Sequence, residues 1–179
     1  MKKKILKMQN LINEIISNIH KSAQEWHEQN LRWFEFNIND DDSLIELSTK
    51  LLYHNYCIWH LIEGYSDPDT GKVNFVYLGG LEHNKLRNET IEKMDDIFMT
   101  LQSDTGSYNS ETLGSVIDRI SNVIIKLLHL IESSDDRVNQ LESQLDFLSK
   151  AANELYQDMV QGNRRILTIK RFKTTGYDR

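Results

Sequence analysis

Proline, cysteine and glycine are scarce in this chain, and each scarcity excludes a class of structure. The 179 residues include one proline, one cysteine and eight glycines. So few turn-forming residues favour long helices over many short strands. A single cysteine, Cys57, excludes a disulfide within the chain and fits a reducing, cytoplasmic location. Its position among Tyr and Trp residues of a predicted helix indicates a small packed side chain.

Long apolar runs and a uniform charge are also missing. No apolar run approaches the ~20 residues that cross a bilayer, so we expect no membrane span. Residues 1–20 begin with basic residues, as a signal peptide does, but polar residues interrupt the apolar stretch that should follow. We therefore predict a first helix in this region and not a signal peptide. The net charge is −6, with basic residues gathered in 1–7 and 163–179. The acidic middle disfavours nucleic-acid binding.

Five amphipathic segments predict an all-α, single-domain antiparallel bundle of four to five helices with short loops and a basic C-terminal tail. The domain would span residues 1–179, with 163–179 as a flexible or docking tail. The fifth segment carries a heptad seam suited to packing inside the bundle, and Gly162 is its C-terminal stop. Residues 73–78 are β-prone but too short and isolated to imply a sheet. The segments cover about residues 5–29, 44–63, 81–101, 112–131 and 138–159, and the apolar repeat of the first begins with Ile5 and Met8. Asp42 or Ser43 is the expected N-cap of the second segment, residues 64–71 form the turn after it, and 133–136 is the expected cap of the fifth.

The fourth segment has an unusual polar face opposite its apolar face. A solvated helix face is usually filled with Glu, Lys and Gln, whereas this one holds groups that donate, accept, titrate and carry charge. At 100° per residue they fall within a sector roughly 100° wide. They are Ser115, Asp118, Arg119, Asn122, Lys126 and His129. This face is the first candidate for a functional site.

The second segment carries polar residues on two sides. His54 and Asn55 lie at the flanks of its apolar face and are predicted to meet polar groups of other helices, because buried polar side chains need partners. The opposite side carries a stripe made by Tyr56, Trp59, His60 and Glu63. His60 and Glu63 are three residues apart and can touch. They form either a surface contact at the helix end or a site that faces a ligand or metal.

A metal site is an alternative for these histidines. His129 and Glu132 repeat the spacing of His60 and Glu63, and two such pairs on facing helices would offer a ligand mix that suits zinc or iron. Di-metal bundles use the reverse order and additional core Glu residues. No metal ligand or cofactor is therefore assigned, and a divalent metal stays an alternative.

The third segment adds polar candidates of its own, which are Asn84, Arg87, Asn88 and Asp95. Arg87 and Asn88 can reach a phosphate or carboxylate, although a solvated face with helix ion pairs explains them as well. Glu89 and Glu92 have the ExxE spacing of a magnesium site, but a second such pair is missing. Two interpretations of Arg87 and Asn88 therefore stay open, a solvated helix face and an anion-binding site.

Four stretches carry a family resemblance: LYHNYCIWHLIE (52–63), DP (67–68), NKLRNETIEKMDD (84–96) and NSETLGSVIDRISNVIIKLLH (109–129). They are similar to the bacterial domain of unknown function family 4254, over about residues 45–175. Ile62 stands where the family usually has an acid, Ser66 where it often has Arg, and Leu113 where it often has Pro. The first two differences argue against an intact catalytic or metal site around His60. The resemblance implies no established reaction, but it implies a link to cell-envelope polysaccharide metabolism.

These observations favour a binding or accessory protein, either a monomer or a homodimer. A polar site between the second, third and fourth helices would take an anionic small molecule or a protein partner. Arg87, Arg119 and Lys126 would contact the anion, and His129 would help to orient it. The other ligand-binding candidates are Asn55, Trp59, Glu63, Asn88, Asn109, Ser110, Glu111 and Ser115.

Two other hypotheses stay open. The first is a hydrolase or transferase, with or without a divalent metal, whose catalytic candidates are His60, Asp118, Arg119, Lys126 and His129. An imidazole would be the general base, Asp118 or Glu63 would orient it, and a cation would stabilise negative charge. The second is purely structural, with the polar face buried as an interhelical hydrogen-bond network. Burial and an open cavity separate these hypotheses.

Overall fold

The computed structural model describes residues 10–31, 43–65, 73–131 and 136–167, without the side chains of residues 64, 65 and 73–77. Some sequence-based expectations lie outside these residues. They concern Ile5, Met8, Asp42, Ser66, the turn at 67–71, Glu132, 133–135 and the tail at 168–179.

Within the described residues the chain forms five helices and two very short strands, which confirms the predicted all-α bundle. No helix in this part of the chain is long and apolar enough to cross a membrane. The elements are α1 (Leu11–Glu28), α2 (Leu44–Tyr65), α3 (Val73–Leu101), β1 (Ser107–Tyr108), α4 (Leu113–Ile131), α5 (Val138–Gln161) and β2 (Arg164–Arg165).

Side chains and one glycine define several helix ends. The hydroxyl of Ser43 accepts a hydrogen bond from the backbone N–H of Glu46 at 3.3 Å and caps α2, as predicted. The hydroxyl of Thr112 accepts from the N–H of Ser115 at 3.2 Å and caps α4. Gly162 ends α5 in the left-handed conformation, with φ of 81°.

One continuous buried cluster takes apolar side chains from all five helices and from Ile166. The seam of α5 packs into this cluster, with Leu148, Ala152, Leu155 and Met159 buried. Because the seam is already covered by the chain's own helices, it contributes to the interior as predicted.

One local expectation is wrong, namely the start of the third helix near residue 81. The β-prone run at 73–78 belongs to α3, because it continues directly into a long helix that packs along α2. Short-range β propensity is weak against such tertiary packing. The cap expected at 133–136 lies for the most part outside the described residues, and Arg137 occupies the N-cap position of α5.

The chain after α5 holds the loop that precedes α4. β2 pairs with β1 in parallel, and the N–H of Asn109 donates to the carbonyl of Arg165 at 2.7 Å. Gly106 has φ of 102°, and a Cβ there would lie 2.6 Å from the carbonyl carbon of Asn163, so this close approach requires glycine. The loop at 109–112 is thereby fixed beside the N-terminus of α4.

Candidate functional site

The N-terminus of α4 lies directly against α3. The N–H of Gly114 donates to Asp95 Oδ1 at 2.8 Å, which places a carboxylate at the positive end of the helix. A Cβ on Gly114 would lie 2.9 Å from the carbonyl oxygen of Ile91. Glycine therefore allows the two helices to approach closely, and Asp95 stabilises the junction.

Asp118 is buried in a network that joins three helices. Arg87 of α3 donates from Nε to Oδ1 at 2.9 Å and from Nη2 to Oδ2 at 3.0 Å. Asn55 of α2 donates to Oδ1 at 2.9 Å and to the hydroxyl of Ser121 at 2.6 Å. Asp118 is 6% exposed and Asn55 is 2% exposed. The prediction that Asn55 meets polar groups of another helix is confirmed, and Asp118 is tied into the fold.

The other two cations of the predicted anion site lie elsewhere. Arg119 is half exposed and forms an ion pair with Glu111 in the preceding loop. Lys126 is exposed on α4, two turns further along. Because Arg87 and Arg119 each already face a carboxylate, the structure does not support the predicted trio of cations around an anion.

A cavity of about 490 Å³ opens between α3, the loop at 109–112 and the first turns of α4. Its lining contains four carboxylates and a single Arg, together with amide and hydroxyl groups. The lining residues are Asn88, Ile91, Glu92, Asp95, Ser110, Glu111, Thr112, Ser115, Asp118 and Arg119. With Arg87 behind Asp118, four acids stand against two guanidinium groups, so the surroundings of the cavity are negative.

Six of the predicted site residues line this cavity: Asn88, Ser110, Glu111, Ser115, Asp118 and Arg119. The prediction missed Glu92 and Asp95 as lining residues. In the sequence, Glu92 stands out only as half of an ExxE pair and Asp95 only as one polar residue of the third segment. With Asn88 they follow a spacing of four and then three, which places all three on one face of α3. That spacing was the available signal.

His129 belongs to a second place, at the C-terminal end of α4. Its ring centroid lies 5.2 Å from that of His60 and 5.0 Å from that of Trp59. His60 Nδ1 lies 2.9 Å from Glu63 Oε2, and Trp59 Nε1 donates to Glu63 Oε1 at 2.7 Å. Ligand atoms of His60, Glu63 and His129 all lie within 4.8 Å of one another. Two helices thus bring two imidazoles and one carboxylate together.

The polar stripe predicted on α2, opposite its apolar face, is only partly observed. Tyr56 is 1% exposed and belongs to the core, so it does not lie on a polar stripe opposite the core face. The side chain of His60 is also mostly covered, at 8% exposed, whereas that of Glu63 is 47% exposed. The cluster is therefore buried on its histidine side and open at Glu63.

Another histidine pair joins α2 to α3. Nδ1 of His54 and Nδ1 of His83 lie 3.1 Å apart, so one ring donates and the other accepts. Burial, assisted by the nearby His83 and Lys50, lowers the pKa of His54 to about 4. Burial also raises the pKa of the Cys57 thiol to about 11. Cys57 is thus a packed thiol at neutral pH, as predicted, and not a thiolate nucleophile.

The sequence that forms these sites is similar to a known protein family. A model described as protein of unknown function (DUF4254) matches residues 47–168.

The chain belongs to that family.

The DUF4254 region contains most of α2 and all of α3 to α5, and therefore both the cavity and the histidine cluster. No curated protein and no solved structure matches the chain. Ile62, at the position where an acid was expected from the resemblance, is 64% exposed beside the cluster. Glu63 is the carboxylate that contacts His60.

Proposed function

We propose that this protein binds a small molecule rich in hydrogen-bond donors, such as an amino sugar, in the cavity between α3 and α4. The observation that carries this proposal is the pair of almost fully buried carboxylates in its lining. Asp95 is 3% exposed and Asp118 is 6% exposed, yet both border an open cavity. A volume of about 490 Å³ is within the usual range for small-molecule sites.

The charges around the cavity favour donors over anions. A carboxylate only accepts hydrogen bonds, and each of its oxygens can accept more than one. An anion that enters would meet four carboxylates of the lining, against the guanidinium groups of Arg119 and Arg87. At a separation of about 6 Å and an effective dielectric constant of about 20, one such like-charge pair costs roughly 3 kcal/mol. This is enough to reverse the anion preference expected from the sequence.

The remaining lining groups suit a polar ligand. Asn88 offers both donors and acceptors, the hydroxyls of Ser110 and Ser115 offer the same, and Arg119 can donate. Ile91 adds one apolar contact. A sugar-like ligand also fits the expected link to cell-envelope polysaccharide metabolism. The two histidines proposed as general bases do not line this cavity, so binding is better supported than catalysis here.

The test compares three ligands that share one sugar ring: glucosamine, glucose and glucose 6-phosphate. Isothermal titration calorimetry should give the strongest binding for glucosamine and the weakest for the phosphate, because the cavity repels negative charge. Glu92→Gln removes one lining carboxylate and should weaken glucosamine binding by about tenfold, the usual effect of one hydrogen bond to a charged group.

The matched control is Glu89→Gln, one turn away on the same helix. Glu89 is exposed, its Oε1 lies 4.0 Å from Nζ of Lys85, and it is not among the residues that line the cavity. This substitution should therefore leave glucosamine binding unchanged. Tighter binding of the phosphate, or equal effects of the two substitutions, would contradict the proposal.

A further inference from the structure

The cluster of His60, Glu63 and His129 lies apart from the cavity and has the composition of a metal site. His60 and Glu63 face each other across one turn of α2, and His129 comes from the last turn of α4. Their ligand atoms lie within 4.8 Å of one another. Imidazole nitrogens and a carboxylate are the ligands that zinc and ferrous iron use in sites with three protein ligands.

The hydrogen bond made by the ring of His129 supports metal binding. Its Nδ1 lies 2.8 Å from the backbone carbonyl oxygen of Ile125. A carbonyl can only accept, so Nδ1 is the nitrogen that donates, and Nε2 is the nitrogen that can offer a lone pair to a metal. Metal-ligating histidines usually have this second hydrogen bond, which fixes the ring and the tautomer.

Nε2 of His129 also lacks a hydrogen-bond partner among the described residues, although the atom is buried. A buried acceptor without a partner is unfavourable by about 1–3 kcal/mol. Native structures therefore rarely leave such an atom without a role. A metal ion would remove this penalty by accepting the lone pair.

His60 and Glu63 are held in a suitable arrangement. The carboxylate of Glu63 lies between the indole N–H of Trp59 and Nδ1 of His60, at 2.7 Å and 2.9 Å. In a tetrahedral site with bonds of about 2.1 Å, neighbouring ligand atoms lie about 3.4 Å apart. The His60–Glu63 separation is already near this value, and the proton of that hydrogen bond must leave to solvent when both atoms bind the ion, as metal binding requires of its ligands. The span of 4.8 Å must also contract.

Contraction can come from Glu63, because its side chain is about half exposed, whereas the ring of His60 is 8% exposed and held in place. The exposed side of Glu63 would also leave room for a water molecule as a further ligand. We infer that His60, Glu63 and His129 bind one divalent transition-metal ion, with zinc as the best match to this ligand set.

The experiment uses untagged, chelator-treated full-length protein, titrated with Zn²⁺ by calorimetry and with Co²⁺ by visible absorption. We expect one metal ion per chain and a dissociation constant in the micromolar range or tighter. Tetrahedral Co²⁺ should give intense visible bands. Glu63→Gln and His129→Asn should each weaken binding at least tenfold, since even outer-shell changes at such sites cost 10–100-fold.

The matched control is His20→Asn, because His20 is an exposed histidine of α1 and should not affect the site. Glu63→Gln keeps the test decisive if His129→Asn fails to fold, because Glu63 is half exposed. The inference is wrong if neither metal binds at one ion per chain, or if binding survives both substitutions. A simple hydrogen-bonded His–Glu pair would give that result. Sugar binding in the cavity is measured separately, so either proposal can fail alone.

Discussion

Replacing Asp118 by Ala should destabilise the protein far more than replacing its neighbour Arg119. Asp118 accepts two hydrogen bonds from Arg87 and one from Asn55, and it is 6% exposed. Its removal leaves a guanidinium group and an amide without their acceptor at the junction of three helices. Arg119 instead forms a half-exposed ion pair with Glu111.

The magnitude follows from burial. Removing one partner of a fully buried ion pair costs about 3–5 kcal/mol. The side chain of Arg87 is 26% exposed, so water can partly replace the lost carboxylate. We therefore expect a loss of about 3 kcal/mol in the free energy of unfolding. A chain of this size would melt roughly 6–12 °C lower.

Urea denaturation at pH 7.5, followed by circular dichroism at 222 nm, measures both variants. Arg119→Ala should cost less than ~1 kcal/mol, because exposed ion pairs contribute little. The double variant Arg87→Met with Asp118→Ala should cost less than the sum of the two single changes, since the charges act as a pair. A cost below ~1 kcal/mol for Asp118→Ala, or equal costs for the two neighbours, would refute the reasoning.

Two further predictions concern glycine and pH. Gly114→Ala should cost about 1–3 kcal/mol by overpacking, because its Cβ would lie 2.7 Å from Asp95 Oδ1. Gly80→Ala, with no atom within 4 Å of its Cβ, should stabilise α3 by about 0.5–1 kcal/mol, and equal effects would contradict this account. The pKa of His54 is about 4 when folded and about 6.5 when unfolded, so its contribution, up to about 3 kcal/mol, is present above pH 6.5 and lost as pH falls towards 4. Urea titrations should show that the free energy of unfolding decreases less between pH 7.5 and pH 4.5 in His54→Gln than in the unchanged protein. An equal decrease in both would count against this account of His54.

Helical periodicity was sufficient to predict the fold class and most helix positions. The apolar repeat of α5, the hydroxyl cap at Ser43 and the glycine at Gly162 each act within a few residues, so local sequence reports them directly. The helical conformation of residues 73–78 was not predicted, for the converse reason. That conformation depends on packing along α2, which local propensity does not contain.

The candidate site was predicted less well, because a helical face gives direction but not position along the axis. Asp118 and His129 share a face of α4, yet 11 residues separate them by about 16 Å. They therefore serve different places, the α3 junction and the histidine cluster. Asp118 and Arg119 are adjacent, but the turn of about 100° between them directs Asp118 towards α2 and α3 and leaves Arg119 half exposed beside Glu111. The position of a side chain along the helix axis and its burial both depend on the neighbouring helices.

The most direct test of the proposed binding site is an amide ¹H–¹⁵N spectrum of the full-length protein titrated with glucosamine. The account predicts that the largest shifts fall on the cavity lining, at Glu92, Ser110, Thr112 and Ser115, and that glucose 6-phosphate produces smaller ones. Shifts confined to the surface groove around Asn13 and His20, or no shifts at all, would contradict it.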